Sequence, residues 1–393
     1  MTVPLYFPME EYEDRWARVD AAMEAKGYDA AITRSPSGGT CDRCGDVLYL
    51  TNYVSTESGQ EPDNKTRKAS AFSAALLVRG EEPKLIADEP SPEDAIAAKN
   101  WEWSYDTMSK AAELLKPFGN RSVVLAGSDI LPMKYGQQMF DACPNLAMDD
   151  MLIHEVRMRK TDREVEAMKI GGAIAARALE ILITALRRGE KEADAAALAA
   201  AEVMRSGGSV HFIPVSHGDS IEQFCRNHLT GYSQDAPQEG DLVRAWVYGP
   251  MWQGYWMDPG RTTVVGTPSP EKKQLVEDCA GIVDAIVAGI KPGVMVSEMT
   301  ALGRRMTQEA GGGQDAAAMK WPIFGHGLGL FWEKLDLSES YAEFDMAFEP
   351  NMTFGIEAFL GAEGVGSAGF EQNIVVTDTG AELLTPAPML WWD

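Results

Sequence analysis

The chain has 393 residues, 45% of them hydrophobic, which is enough for two packed domains and unlike the composition of a disordered protein. Its 59 acidic residues against 35 basic ones leave a formal charge of −24, which argues against recognition of nucleic acid or an anionic membrane through a basic face. The opening Met1-Thr2-Val3-Pro4-Leu5-Tyr6 has neither the basic start nor the apolar run of a signal peptide, and no stretch reaches the roughly 18 apolar residues of a membrane span, so a cytoplasmic protein is expected.

The first 150 residues read as alternating helices and strands, an α/β pattern with a mixed sheet. Glu11 to Gly27 is amphipathic and ends on glycine, which predicts a helix, and Asp29 to Thr33 follows as a strand. Five cysteines, an odd number, do not suggest a disulfide framework; Cys41 and Cys44 form a CxxC with no second pair to complete a zinc site. Thr51 to Ala69 is polar, includes Lys65, Arg67 and Lys68, and reads as a long loop. Ala71 to Val78 and Lys84 to Ala87 are predicted strands around Gly80-Glu81-Glu82-Pro83, and Ser122 to Gly127 is another.

A second domain, residues 151–393, is expected to begin after Asp150. Thr161-Asp162-Arg163-Glu164 is a capping box, its hydroxyl and carboxylate satisfying helix N–H groups that lack intrahelical partners, and it opens a long Ala-rich helix to about Arg187. Helices are also predicted over Ala193 to Arg205, Pro270 to Ile290 and after Ser297, with apolar strands from Asp241 onward. Four residues in the last third carry chemistry. Asp258 lies in Gly254-Tyr255-Trp256-Met257-Asp258-Pro259-Gly260-Arg261-Thr262, and His326 in Gly325-His326-Gly327-Leu328-Gly329. Glu357 ends Phe354-Gly355-Ile356-Glu357, and Glu371 opens Glu371-Gln372-Asn373 after Gly369-Phe370. One imidazole with three carboxylates suits one divalent ion such as Mn, Fe, Co or Zn, because oxygen donors dominate the set. Without a cation, buried carboxylates this close repel one another and some of their pKa values rise.

These motifs resemble those of the creatinase, aminopeptidase P and prolidase superfamily, and the likeness runs over nearly the whole length. It implies an N-terminal creatinase-type α/β domain, residues 1–150, and a C-terminal pita-bread catalytic domain. In metal-dependent members two aspartates eleven residues apart, one His and two glutamates hold two ions. Counting eleven back from Asp258 lands on Val247, so the aspartate of the second ion is missing and the resemblance implies at most one metal. Peptidase members carry a second His seven residues after the first; here that position is Glu333. Gly249 to Tyr255 is instead similar to the corresponding stretch of creatinase, which works without metal. The resemblance further implies His228 as the proton-handling imidazole, with Arg67, His217 and Glu333 as candidate substrate contacts. It also implies a homodimer in which the polar N-terminal loop reaches the partner's site.

The reading that follows is a hydrolase cutting a C–N bond in a small zwitterionic nitrogen compound, creatinase-like or ectoine-hydrolase-like, metal-free or with one metal. An Xaa-Pro dipeptidase or aminopeptidase, a lyase of the dimethylsulfoniopropionate type and a non-catalytic binding protein are the alternatives. Trp101, Trp103, Trp252, Trp256, Trp321 and Trp332 are candidates for an aromatic box around a quaternary cation, or for core positions.

Overall fold

The computed structural model describes residues 5–36, 45–55, 72–90, 93–128, 131–311, 323–339 and 345–392. The chain divides into two units, Met1–Arg157 and Met158–Asp393. Arg67, Cys41, Cys44 and Trp321, singled out above, lie outside the described residues.

In the first unit, α1 (Met9–Lys26) stops at Gly27, whose φ of 75° lets its N–H turn back to the Glu24 and Met23 carbonyls. The chain then runs through β1 (Ala30–Pro36), α2 (Gly45–Thr51), β2 (Phe72–Val78), β3 (Lys84–Ala87) and β4 (Asn100–Trp103). It continues with α3 (Thr107–Leu115), β5 (Val123–Ala126), α4 (Met133–Ala142), β6 (Ala147–Met148) and α5 (Leu152–Met158). The strands form one mixed sheet in the order β4-β3-β2-β1-β5-β6, antiparallel at β1/β2 and β2/β3 and parallel elsewhere. Thr51, expected to open a loop, instead closes α2 and donates from Oγ1 to the Val47 carbonyl.

The second unit opens with α6 (Asp162–Arg187), started by the expected capping box: Thr161 accepts from the Glu164 N–H and Glu164 from the Thr161 N–H. After it come α7 (Glu192–Arg205), β7 (Val215–His217), β8 (Leu242–Trp246), β9 (Gly249–Trp252), β10 (Tyr255–Met257) and β11 (Gly260–Val264). Then follow α8 (Pro270–Gly289), α9 (Val296–Glu309), β12 (Gly325–Leu328), β13 (Trp332–Asp336), β14 (Thr353–Ala362), β15 (Gly366–Val376) and β16 (Ala381–Leu383). Ser269 caps α8 by accepting from Lys272 N–H, with Pro270 at the first turn where no N–H is missed. The main sheet is antiparallel, in the order β13-β12-β14-β15-β11-β8-β7, with β16 alongside β15.

One side of this sheet packs α8 through an apolar cluster that includes Val276, Val283, Ile286, Ile356, Phe370 and Ile374. Strand alternation sends the intervening residues to the opposite side, and that is where Glu357 and Glu371 project. Among the described residues no helix is long and apolar enough to cross a membrane.

Glu333, on β13, does not stand free as a substrate contact. Its Oε2 accepts from Lys160 Nζ at 2.7 Å and its Oε1 from the Leu330 N–H at 3.2 Å, with both side chains buried. The pair ties the loop before α6 to the β12–β13 hairpin. Removing one partner strands a buried charge, so Lys160→Met is expected to destabilise the protein by about 3–5 kcal/mol, and adding Glu333→Leu to recover most of that loss. Denaturant midpoints of the single and double variants check this.

Candidate metal centre

Each of the four chemistry-bearing residues is placed by a different element, three by strands and one by a turn. Glu357 on β14 and Glu371 on β15 are directly paired across the ladder, so two carboxylates stand side by side on one face. Opposed like charges weaken a sheet unless something positive lies between them. His326 comes from β12, where it pairs with Gly355 of β14, and Asp258 from the turn between β10 and β11. All four are at most 5% exposed.

His326 Nδ1 bonds the Gly327 carbonyl at 3.0 Å, which leaves Nε2 facing the acids. From Nε2 the distances are 3.4 Å to Asp258 Oδ2, 3.5 Å to Glu371 Oε1 and 3.9 Å to Glu357 Oε1. One ligand atom each from Asp258, His326 and Glu371 lie within 4.8 Å of one another. Gly355 makes this convergence possible, because a Cβ there would collide with Glu371 Oε1 and crowd Asp258 and His326.

The surrounding side chains orient the acids. Asn373 Nδ2 donates to Asp258 Oδ1 at 2.6 Å, while its Oδ1 accepts from the Asp258 N–H at 2.9 Å. Trp332 Nε1 donates to Asp258 Oδ2 at 2.8 Å, and Trp246 Nε1 to Glu371 Oε2 at 2.9 Å. Arg261 holds the Glu371 carbonyl and Gln372 Oε1, fixing the β15 backbone behind the site. Glu371 Oε1 alone of that carboxylate's oxygens is buried with no hydrogen-bond donor.

The electrostatics carry the same signature. Burial, then the neighbouring Asp258 and Glu357 charges, push the Glu371 carboxyl well above the ordinary range. Burial opposes charge on His326, yet the Glu371, Asp258 and Glu357 carboxylates outweigh it and push the imidazole well above its usual value. A donor set of carboxylates with one imidazole, a carboxylate oxygen without a donor, and a space kept open by glycine together fit a divalent cation. With both groups raised, protons compete with a bound ion for these ligands, so metal affinity is predicted to be tighter at about pH 8 than at about pH 6, with protons released on binding. Calorimetric titration with Mn²⁺ at the two pH values, in buffers of different ionisation heat, measures both quantities; affinity independent of pH contradicts the prediction.

The cluster forms the floor of a cleft of about 400 Å³, whose walls include Phe224, Arg244, Trp246, Tyr248, Trp332 and Phe359. Of the described tryptophans expected to form an aromatic box, only Trp332 lines it; Trp246, absent from that set, also does.

The side chain that donates to Glu371 is that of Trp246, whose indole sits against Gly260 and Gly369, where any Cβ would collide with the ring; the neighbouring Val247 is buried and is not among the lining residues. One expectation, Glu333 as a substrate contact, is corrected by this geometry. Glu333 is committed to Lys160 and does not line the cleft.

Nor does the structure bring His228 or His217 to the cleft. His228 lies on an exposed turn, its Nδ1 4.0 Å from Cys225 Sγ, and is not among the lining residues. His217 is buried with its Nδ1 2.7 Å from Glu192 Oε1, and Glu192 also accepts from the Ser233 N–H.

An antiparallel sheet presenting one imidazole and three carboxylates at the base of a small cleft is an arrangement that could hold a divalent ion beside a bound substrate. The chain belongs to metallopeptidase family M24, whose model matches residues 166–378. A probable dipeptidase PepE of Mycobacterium tuberculosis is 30% identical over 289 residues, covering 69% of this chain and 72% of its own. An Xaa-Pro dipeptidase of Lactobacillus delbrueckii subsp. lactis is 25% identical over 92% of this chain and 94% of its own. The crystal structure of dipeptidase PepE from Mycobacterium ulcerans superposes with a TM-score of 0.76 at 26% identity, covering 98% of this chain and 99% of that one.

Proposed function

We propose that this chain hydrolyses the C–N bond of a dipeptide-sized substrate of the Xaa-Pro type, using one divalent ion. The observation that carries the reading is the buried Asp258, His326, Glu357 and Glu371 cluster opening on a cleft of about 400 Å³. Family membership and the dipeptidase relatives support a peptide bond ahead of the non-peptide substrate expected from the sequence. They also favour hydrolysis over the lyase and binding-protein readings.

Asp258, His326 and Glu371 would hold the ion, with Glu357 beside them; when bound it would lower the pKa of a water and polarise the carbonyl under attack. Asn373 and Trp332 keep both Asp258 oxygens in one orientation, and Trp246 does the same for Glu371 Oε2. Glu357, outside the tightest group of ligand atoms, is the carboxylate assigned to take the proton from the attacking water. The aromatic walls restrict bulk water and leave room for a compact substrate.

A second reading, a small zwitterionic nitrogen compound of the creatine or ectoine kind, draws support from two residues. Trp246 fills the ground against Glu371, and Glu333 is locked to Lys160. Steady-state kcat/KM for Xaa-Pro dipeptides and for creatine-like, ectoine-like and betaine-like compounds, each with Mn, Fe, Co or Zn, separates the two. Highest kcat/KM on a dipeptide supports the first reading. Turnover confined to a non-peptide compound sinks it in favour of the second.

A further inference from the structure

Arg244 is a buried cation in the cleft with no counter-charge of its own. It stands on β8 two residues before Trp246, so strand alternation puts both side chains on the same face. The residue is 2% exposed and lines the cleft. Its guanidinium carbon lies 5.8 Å from the Trp246 ring centre and 5.5 Å from that of Phe359, and those two rings are themselves stacked at 5.6 Å. Of five N–H donors, two are engaged: one from Nη1 to Ser367 Oγ at 3.1 Å and one from Nη2 to the Gln223 carbonyl at 2.6 Å. Both acceptors are neutral. Nε is buried with no acceptor at all.

Two other buried arginines are ion-paired, and a third is bonded through all three of its nitrogens. Arg15 pairs with Glu11 at 2.9 Å, and Arg157 with Asp46 at 2.6 Å. Arg261 has no carboxylate, yet its Nε, Nη1 and Nη2 all reach oxygen acceptors. Arg244 forms no ion pair among the described residues, and the exposed Glu222 at the cleft edge acts on it only at longer range. Burial lowers its pKa to about 10, so it keeps its charge at neutral pH. A buried, charged and incompletely bonded guanidinium costs stability unless an anion reaches it. Its planar fork, held near two aromatic rings, matches a carboxylate in shape.

We propose that Arg244 is the anchor for a substrate carboxylate, one indole width from Glu371, so that the cleft selects small free acids over their neutral amides. The Trp246 ring spans the two ends: its Nε1 bonds Glu371 while its face carries Arg244. A quaternary cation at this end would meet aromatic faces already taken by a guanidinium. The ligand's identity as a substrate rests on the hydrolase reading; the anion site itself does not.

The test is calorimetric binding of L-proline and L-leucine against L-prolinamide and L-leucinamide, with inorganic phosphate as a further probe, to the full-length metal-loaded protein. The wild type should bind each acid at least about tenfold more tightly than its amide, and Arg244→Met should bring the pair to within about twofold. Metal stoichiometry, which this substitution does not touch, reports whether the variant is folded. If it is not, Ser367→Ala, which releases Nη1 without removing the arginine, should lower the selectivity severalfold. Equal binding of acid and amide by the wild type, selectivity retained in the folded Arg244→Met or in Ser367→Ala, or Arg244-dependent binding of phosphate alone would each overturn the proposal. Selectivity lost with Arg244 but no turnover of any dipeptide keeps the anion site and removes the hydrolase reading. Turnover of acids and amides alike does the reverse.

Discussion

Replacing His326 with alanine will abolish tight metal binding and lower kcat by more than the roughly 10–100-fold typical of losing a partner behind a ligand. His326 is the only non-carboxylate donor of the group, and its Nε2 lies within 4 Å of all three acids. Without it Asp258, Glu357 and Glu371 remain as neighbouring buried carboxylates with no imidazole between them. Elemental analysis of the purified variant and single-turnover kinetics at saturating substrate read the two losses separately. Full metal content with wild-type kcat would show that the imidazole is not a ligand.

The second large effect falls on stability. Trp246→Ala removes a 2% exposed indole that stacks on Phe359, fills the space left by Gly260 and Gly369, and donates to Glu371. Truncating a buried aromatic of this kind costs about 3–5 kcal/mol, and the loss of the donor to a buried carboxylate adds to it. The expected result is a lower urea midpoint with an unchanged m-value, and added metal should raise the midpoint of both proteins, since an ion binding only the folded state stabilises it. A loss under about 1 kcal/mol would mean that the indole is not the packed wedge described here.

Much of this architecture is written in local signals. The Thr161–Glu164 capping box places the start of α6, Ser269-Pro270 the start of α8, and Gly27 the end of α1, because each satisfies backbone groups within one turn of the residue itself. Asp258, His326, Glu357 and Glu371 are legible for a related reason: each sits in a frame of glycines and apolar residues that tells strand from turn.

What depends on register is harder to read. Counting eleven residues back from Asp258 lands on Val247, and nothing local shows that its neighbour Trp246 is the side chain that reaches Glu371, 125 positions away. The same strand holds Arg244, and alternation from Trp246 identifies it once the register is known. His228 lies in a turn with no periodic pattern to fix its direction, and the structure turns it to solvent. Glu333 shows the opposite case, a carboxylate whose partner, Lys160, lies 173 positions away and leaves no local trace.

The central claim, a hydrolase working through one ion held by Asp258, His326 and Glu371 with Glu357 beside them, is tested most directly by titrating metal-stripped protein with Mn²⁺ while following hydrolysis of an Xaa-Pro dipeptide. The account predicts activity that rises from near zero and reaches its plateau at one equivalent per chain. A plateau only at two equivalents, or hydrolysis that persists undiminished in the stripped protein, would contradict it.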